Sequence, residues 1–365
     1  MPSKIAFLLP SLKGGGVQRQ YINLAHEFLA RGHRVDMLLL DASSPAFSNL
    51  PAWNLVDLKS RRVFASLPAL MRTLRLLRPD YLISAQTHVN ALAALARGWI
   101  GAPPKLMVTE HNHLTTAARN AFRFADRLRP WMAKWLYPRA DWVVAVSASV
   151  ADDLAQTAGL PRERIRVIYN SVALEEVERL AAEPLDHPWF APGEPPVVLA
   201  VGRLTAQKAY PDLLDAFARL RSLRAVRLLI LGEGEERPRL REQIERLGLT
   251  RDAAMPGFVS NPFAYMRRAA LLALSSHWEG FANVVVEALA CGTPVVSTDC
   301  PSGPGEILAH GKFGRLTPVG DIAALAAALE DTLDSPPPRE LLLERARDFS
   351  VERMADAYLA VLGQQ

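Results

Sequence analysis

Two carboxylates in the second half of the chain have a spacing that could hold a ligand. Glu279 follows an apolar run, Leu271-Leu272-Ala273-Leu274, and the polar turn Ser275-Ser276-His277. Glu287 comes eight residues on, inside a helical stretch expected from about Ala282 to Ala290. Cys291-Gly292-Thr293-Pro294 stops that helix, and Val295-Val296-Ser297-Thr298 reads as the next strand. Strand, loop, helix, strand is the unit of a parallel α/β sheet. Such units bind ligands outside the carboxyl ends of strands, where a helix start offers unpaired N–H groups and a positive dipole to a phosphate. Eight positions advance a helix by about 800°, which turns both carboxylates to one broad side. A phosphate at the helix start would then have a carboxylate for hydroxyls on either arm. Sugar, diphosphate and ribose have that layout. An ordinary helix with one exposed Glu has the same spacing.

Three further positions suit the same ligand. Val197–Val201 reads as a strand, followed by Gly202-Arg203, then Lys208, then a helix from about Pro211 to Leu220. Two cations at a strand end fit a diphosphate, Arg as a fork and Lys as a point charge. His111 follows the strand Leu106–Thr109 and could reach a ligand at its carboxyl end, although a lone His is more often structural. Gly14-Gly15-Gly16 follows the strand Ile5–Leu9 and lets a substrate approach the backbone. The glycines are contiguous, so this is no dinucleotide fingerprint.

With EGF before it and EALACGTPVVSTD after it, the stretch Ser275–Asp299 resembles the E-x7-E element of retaining glycosyltransferases, family 4 of the GT-B fold. The resemblance covers nearly the whole chain, and its specific motifs concentrate in residues 200–310. It implies that Glu279 binds the hydroxyls of a donor sugar and Glu287 those of a ribose. Gly280, Phe281, Ala282 and Asn283 would lie along the donor, and Arg203 and Lys208 on its phosphates. It also implies that His111 meets the donor sugar, that Gly15 and Gly16, with Arg19, form the family's glycine loop, and that the Met255–Val259 backbone, Val259 included, meets the base. Two departures stand out: the family usually has Gly at position 209, here Ala209, and often Pro or Gly at Ala282. The loop Asp299–Glu306 is similar to one in bacterial members that build surface glycans.

The elements that position these residues read as two Rossmann-like, doubly wound α/β domains facing a cleft. Residues 1–170 form the acceptor domain and 171–345 the nucleotide-sugar domain, while 346–365 return to the first. The five prolines from Pro184 to Pro196 read as a connector, and Arg339–Arg347 and Val351–Leu362 both read as returning helices. The expected enzyme is a glycosyltransferase of the hexosyltransferase class, with a UDP-sugar donor favoured and a glycan or lipid-linked glycan acceptor. Retention comes from the family alone. No Asp/Glu metal cluster is visible, and no cofactor is expected beyond the nucleotide sugar as co-substrate. Two rivals fit less well: a UDP-sugar 2-epimerase has no use for a basic, aromatic first half, and a non-catalytic nucleotide-sugar-binding subunit has none for Glu279.

Charge adds a partner. Residues 1–185 hold 23 Lys and Arg against 15 Asp and Glu, a net +8, while residues 186–365 hold 19 against 23, a net −4. Residues 119–139 carry six cations against Asp126, with Trp131 and Trp135 among them. Arg119, Arg123, Arg127, Trp131 and Trp135 would share a face if one helix survived Pro130. Basic residues with interleaved Trp suit an anionic bilayer surface; the ordinary alternative is a solvated face. No nucleic-acid-binding fold is evident. The two Cys, Cys291 and Cys300, make no metal spacing and fit a reducing compartment. With no signal peptide and no apolar run of about 18 residues, the expected location is cytoplasmic, peripheral on the inner membrane face.

Overall fold

A computed structural model describes residues 2–12, 15–43, 53–60, 62–121 and 124–363, the side chain of Ala125 apart. Gly14 and Arg123 lie outside the described residues. The chain divides into two compact units, Met1–Asn170 with Val351–Gln365, and Ser171–Ser350.

The first unit carries β1 (Lys4–Leu9), β2 (Arg34–Leu39), β3 (Asn54–Asp57), β4 (Tyr81–Ala85), β5 (Lys105–Glu110), β6 (Trp142–Ala145) and β7 (Ile165–Val167). They form one parallel sheet in the order β3-β2-β1-β4-β5-β6-β7. Strands covered on both faces read as continuous apolar runs, as β1 does from Ile5 to Leu9. The helix Gly16–Ala30 packs against the last helix, Val351–Gly363. That helix places Met354, Ala355, Tyr358, Val361 and Leu362 in one core with Phe7, Tyr21 and Phe28.

The second unit carries β8 (Val197–Val201), β9 (Arg227–Leu231), β10 (Ala253–Gly257), β11 (Leu271–Leu274), β12 (Val295–Thr298) and β13 (Arg315–Thr317), in the order β10-β9-β8-β11-β12-β13. The strand order reverses between β8 and β11, and between β1 and β4 in the first unit. Connections leave such neighbours to opposite sides, which opens a crevice at their carboxyl ends. In the second unit the register sets Val198 beside Leu271 and Leu199 beside Leu272.

Several expectations change. The helix Arg339–Arg347 packs on Asn283–Cys291 and stays in the second unit; only the chain from Val351 joins the first. The proline-rich stretch read as a connector lies inside the second unit, after a helix, Leu174–Ala181, that packs there. Short strands β3 and β13 carry too few apolar residues to stand out in the sequence. Among the described residues of 114–136 the chain forms three helices rather than one: Leu114–Arg119, Phe124–Arg127 and Arg129–Leu136. Pro130 sits in the first turn of the third, where a missing N–H costs nothing. Arg119, Arg127, Trp131 and Trp135 therefore share no single helical face. Among the described residues no helix is long and apolar enough to cross a membrane.

Candidate active site

Because β8 and β11 are neighbours, their outgoing loops meet. Lys208 Nζ lies 2.6 Å from Glu279 Oε1, with side-chain exposures of 13% and 8%. Ser276 Oγ donates to the same oxygen at 2.6 Å. The loops are tied on both sides of this pair. The backbone N–H of His277 donates to the Gln207 carbonyl, and Gln207 Nε2 to the Trp278 carbonyl, each at 2.9 Å. Ser275 Oγ donates to the Lys208 carbonyl at 2.8 Å. From the β12 side, Thr298 Oγ1 donates to the Ser276 carbonyl at 2.6 Å, and Glu279 N–H to the Pro301 carbonyl at 3.2 Å. Arg203 is different: it is exposed, and its guanidinium pairs with no side chain among the described residues.

Glycine makes this packing possible. Gly202 N–H donates to the Leu231 carbonyl at 3.0 Å, and a Cβ on Gly232 would overlap the Gly202 carbonyl. A Cβ on Gly202, at φ 158°, would stand 3.1 Å from Lys208 Cε. Gly303, at φ 91°, lies so close to Phe281 that a Cβ would overlap its carbonyl. Ala209 (φ 47°) and Ala282 (φ 66°) occupy left-handed conformations, which explains why Gly suits both positions elsewhere.

Helix Asn283–Cys291 starts just after Ala282. Glu279 is therefore in the loop, and the helical phase argument for two carboxylates on one side does not apply. Glu287 is half-buried on the second turn, and its charge reaches Cys291. Phe281 is buried and meets Phe349 edge-on, with centroids 5.6 Å apart. Gly280 and Asn283 flank it; Val259 lies past β10, beyond the exposed Phe258. Sequence reasoning missed Ser276 and Gly303. Ser276 had only its place at a strand end to mark it, and Gly303 only a Ser-Gly-Pro-Gly turn.

In the first unit His111 is buried at the end of β5. Its Nε2 lies 3.2 Å from both the Tyr21 hydroxyl and Thr109 Oγ1, and its Nδ1 has no partner among the described residues. Burial pushes its pKa down to about 4, so the ring is neutral. Glu110, unremarked in the sequence, is wholly buried. Its Oε2 accepts from Thr87 at 2.9 Å and Tyr137 at 2.6 Å; its Oε1 accepts from the His111 N–H at 3.0 Å and the Asn112 N–H at 3.3 Å. Burial raises its pKa, against those donors. Gly15 is extended ahead of the helix Gly16–Ala30, and the Arg19 N–H donates to the Gly15 carbonyl at 3.2 Å. Trp131 and Trp135 are 61% and 55% exposed, with Arg127, Lys134 and Arg139 exposed near them in sequence. Among the described residues no group of three His, Cys, Asp or Glu could hold a metal.

The comparisons follow the same division. A profile for glycosyl transferases group 1 matches residues 183–349, and one for glycosyltransferase family 4 matches residues 14–176. The chain is 31% identical over 253 residues to the lipopolysaccharide core biosynthesis glycosyltransferase LpsE of Rhizobium meliloti, covering 68% of this chain and 71% of that one. It belongs to the group 1, family 4 glycosyltransferases. A Campylobacter jejuni relative of this glycosyltransferase is N-acetylgalactosamine-N,N'-diacetylbacillosaminyl-diphospho-undecaprenol 4-alpha-N-acetylgalactosaminyltransferase. It is 30% identical over 260 residues, covering 71% of this chain and 68% of that one. Two solved structures share the GT-B fold. The lipopolysaccharide outer core galactosyltransferase WaaB has a TM-score of 0.77 at 22% identity, covering 98% of this chain and 99% of that one. Anabaena HepE, solved in complex with UDP-glucose, has a TM-score of 0.81 at 23% identity, covering all of both chains.

Proposed function

We propose that this glycosyltransferase moves a sugar from a nucleoside-diphosphate donor, a UDP-sugar by preference, to a glycan or lipid-linked glycan, with retention and without a metal ion. The observation that carries the reading is the buried Lys208–Glu279 pair, with the exposed Arg203 on the same loop as Lys208 and the helix Asn283–Cys291 starting four residues after Glu279. Departure of the leaving group builds charge on the diphosphate. Arg203 offers its whole fork to that charge, and Lys208 keeps two N–H donors after serving Glu279. Lys208 is held by Glu279 before the reaction, which is the condition for strong electrostatic stabilisation. Glu279 Oε1 is taken by Lys208 and Ser276, which leaves Oε2 for sugar hydroxyls. Glu287 serves the ribose, the Val259 backbone the base and His111 the donor sugar. Retention follows the family resemblance.

The UDP preference draws support from the HepE complexes with UDP and UDP-glucose. The lipid-linked acceptor draws support from the diphospho-undecaprenol in the Campylobacter relative's name. Such an acceptor sits in a membrane, and the basic, Trp-bearing surface of the first unit would meet the inner leaflet peripherally.

Arg203→Ala is expected to lower kcat/KM on the order of 100-fold, the effect of removing one charge-stabilising donor. Glu287→Gln is expected to weaken free UDP binding while leaving the chemical step nearly intact. Near-normal turnover in Arg203→Ala would remove the diphosphate assignment. Thermal shift with UDP-, GDP- and ADP-sugars identifies the donor, since a bound ligand stabilises by mass action.

A further inference from the structure

We infer that Arg345 is a positioning residue for the donor site: it clamps the loop after β12 against the loop after β11 that carries Glu279 to Ala282. The donor half rests on the function proposed above. The clamp half rests on contacts within the second unit alone.

The loop after β12 does not hold its own shape. Ser302, Ala309 and His310 sit at φ 72°, 46° and 53°. Residues other than glycine are strained there and persist only where surrounding contacts over-determine them. Between these positions runs one helical turn, Pro304–Ile307, and the end of a helix leaves carbonyls short of partners. Arg345 meets them. Its Nε donates to the Ile307 carbonyl and its Nη2 to the Glu306 carbonyl, each at 2.8 Å. A guanidinium also suits the negative end of a helix dipole.

The same guanidinium lies over two buried rings, 4.7 Å from the centroid of Phe349 and 5.2 Å from that of Phe313. Phe349 in turn meets Phe281 edge-on, and Phe281 precedes Ala282, the left-handed residue that opens the helix Asn283–Cys291. One side chain therefore holds the β12 loop through hydrogen bonds and the β11 loop through rings. Its own helix is anchored, because Arg339 Nη1 donates to the Cys291 carbonyl at 2.7 Å. The task needs a planar fork: a lysine is a point charge, reaches one carbonyl and stacks poorly. Asp348 is a lesser partner of Arg345, at 2.9 Å, since it is 40% exposed and such pairs contribute little.

Hydrogen exchange and steady-state kinetics on the whole protein test this. Arg345→Lys and Phe349→Leu are expected to speed exchange in the segments 279–283 and 302–307 while β8 and β11 stay as protected as in the wild type. Each should raise the KM of the UDP-, GDP- or ADP-sugar picked out by thermal shift about tenfold, the size of one charge-assisted hydrogen bond. Acceptor KM and kcat should change much less, because the donor-competent fraction of the loop falls and the chemistry does not. Asp348→Asn should do none of this. Exchange and KM unmoved in both variants would overturn the clamp. So would faster exchange throughout the second unit with KM unchanged, the mark of a residue that serves stability alone. Loops that loosen while donor KM holds would overturn the assignment of the β11 loop to the donor and leave the clamp standing.

Discussion

Lys208 and Glu279 neutralise each other at a place where both are nearly out of water. Removing one partner of a buried pair leaves a charge that costs about 3–5 kcal/mol. Lys208→Met is therefore expected to lose both stability and turnover, whereas Lys208→Met with Glu279→Gln should regain much of the stability and none of the activity. Chemical denaturation separates the two effects; a double variant no more stable than the single one would argue against the pair. His111 gives a pH signature. Its folded pKa of about 4 lies below the ordinary 6.5, so above pH 6.5 neither state holds the proton. From pH 6.5 down to 4 the unfolded chain takes a proton that the folded ring refuses, and stability falls by up to about 3 kcal/mol. Glu110 acts in the opposite sense, since its raised folded pKa favours the protonated folded state as pH falls. The difference between wild type and His111→Gln isolates the histidine: the variant's stability is expected to fall less over that pH range.

At the scale of elements, the site depends on how closely loops approach. Gly303 combines a left-handed φ with a backbone contact to Phe281, one residue before Ala282, which caps the helix Asn283–Cys291. Gly320 has φ 78° but nothing within 4 Å of a would-be Cβ. Gly320→Ala should cost only the conformational penalty, about 1–2 kcal/mol. Gly303→Ala should cost more and also raise the donor KM, because the loops after β11 and β12 must part. Equal melting temperatures and equal KM values for the two variants would show that the Phe281 contact does not set the loop. The helix Gly16–Ala30 and the last helix share one core, so the chain beyond Ser350 belongs to the first unit's stability.

The whole molecule divides its charge, +8 over residues 1–185 and −4 over residues 186–365. Each cation near an anionic leaflet contributes about 1 kcal/mol, within a Debye length of about 8 Å. Arg119, Arg127, Lys134 and Arg139 are exposed in the same stretch as Trp131 and Trp135. The protein is expected to sediment with anionic liposomes, not neutral ones, and to be released by high salt. Charge reversal at Arg127, Lys134 and Arg139 should abolish sedimentation and slow transfer to a lipid-linked acceptor, with transfer to a short soluble acceptor nearly unchanged. Binding that ignores lipid charge would leave these residues as a solvated face.

The sequence by itself determined the two-unit α/β organisation. Buried parallel strands must be apolar runs, and Ile5–Leu9, Val197–Val201 and Leu271–Leu274 show that directly. It also marked Arg203, Lys208, Glu279 and Glu287, through loops that follow such runs. It could not show that Lys208 and Glu279 touch, because 71 residues separate them. Only the strand order, which sets β11 beside β8, decides that. Nor could it show where the basic stretch breaks, since three short helices and one long one share the same composition. Glu110 and the contacts of the His111 ring were invisible for a further reason: they depend on Thr87, Tyr137, Tyr21 and Thr109 with its Ser84 partner, which the chain brings together from different elements. Local patterns encode what a strand or helix needs from its neighbours in sequence, whereas the partners of a buried polar atom are chosen by packing.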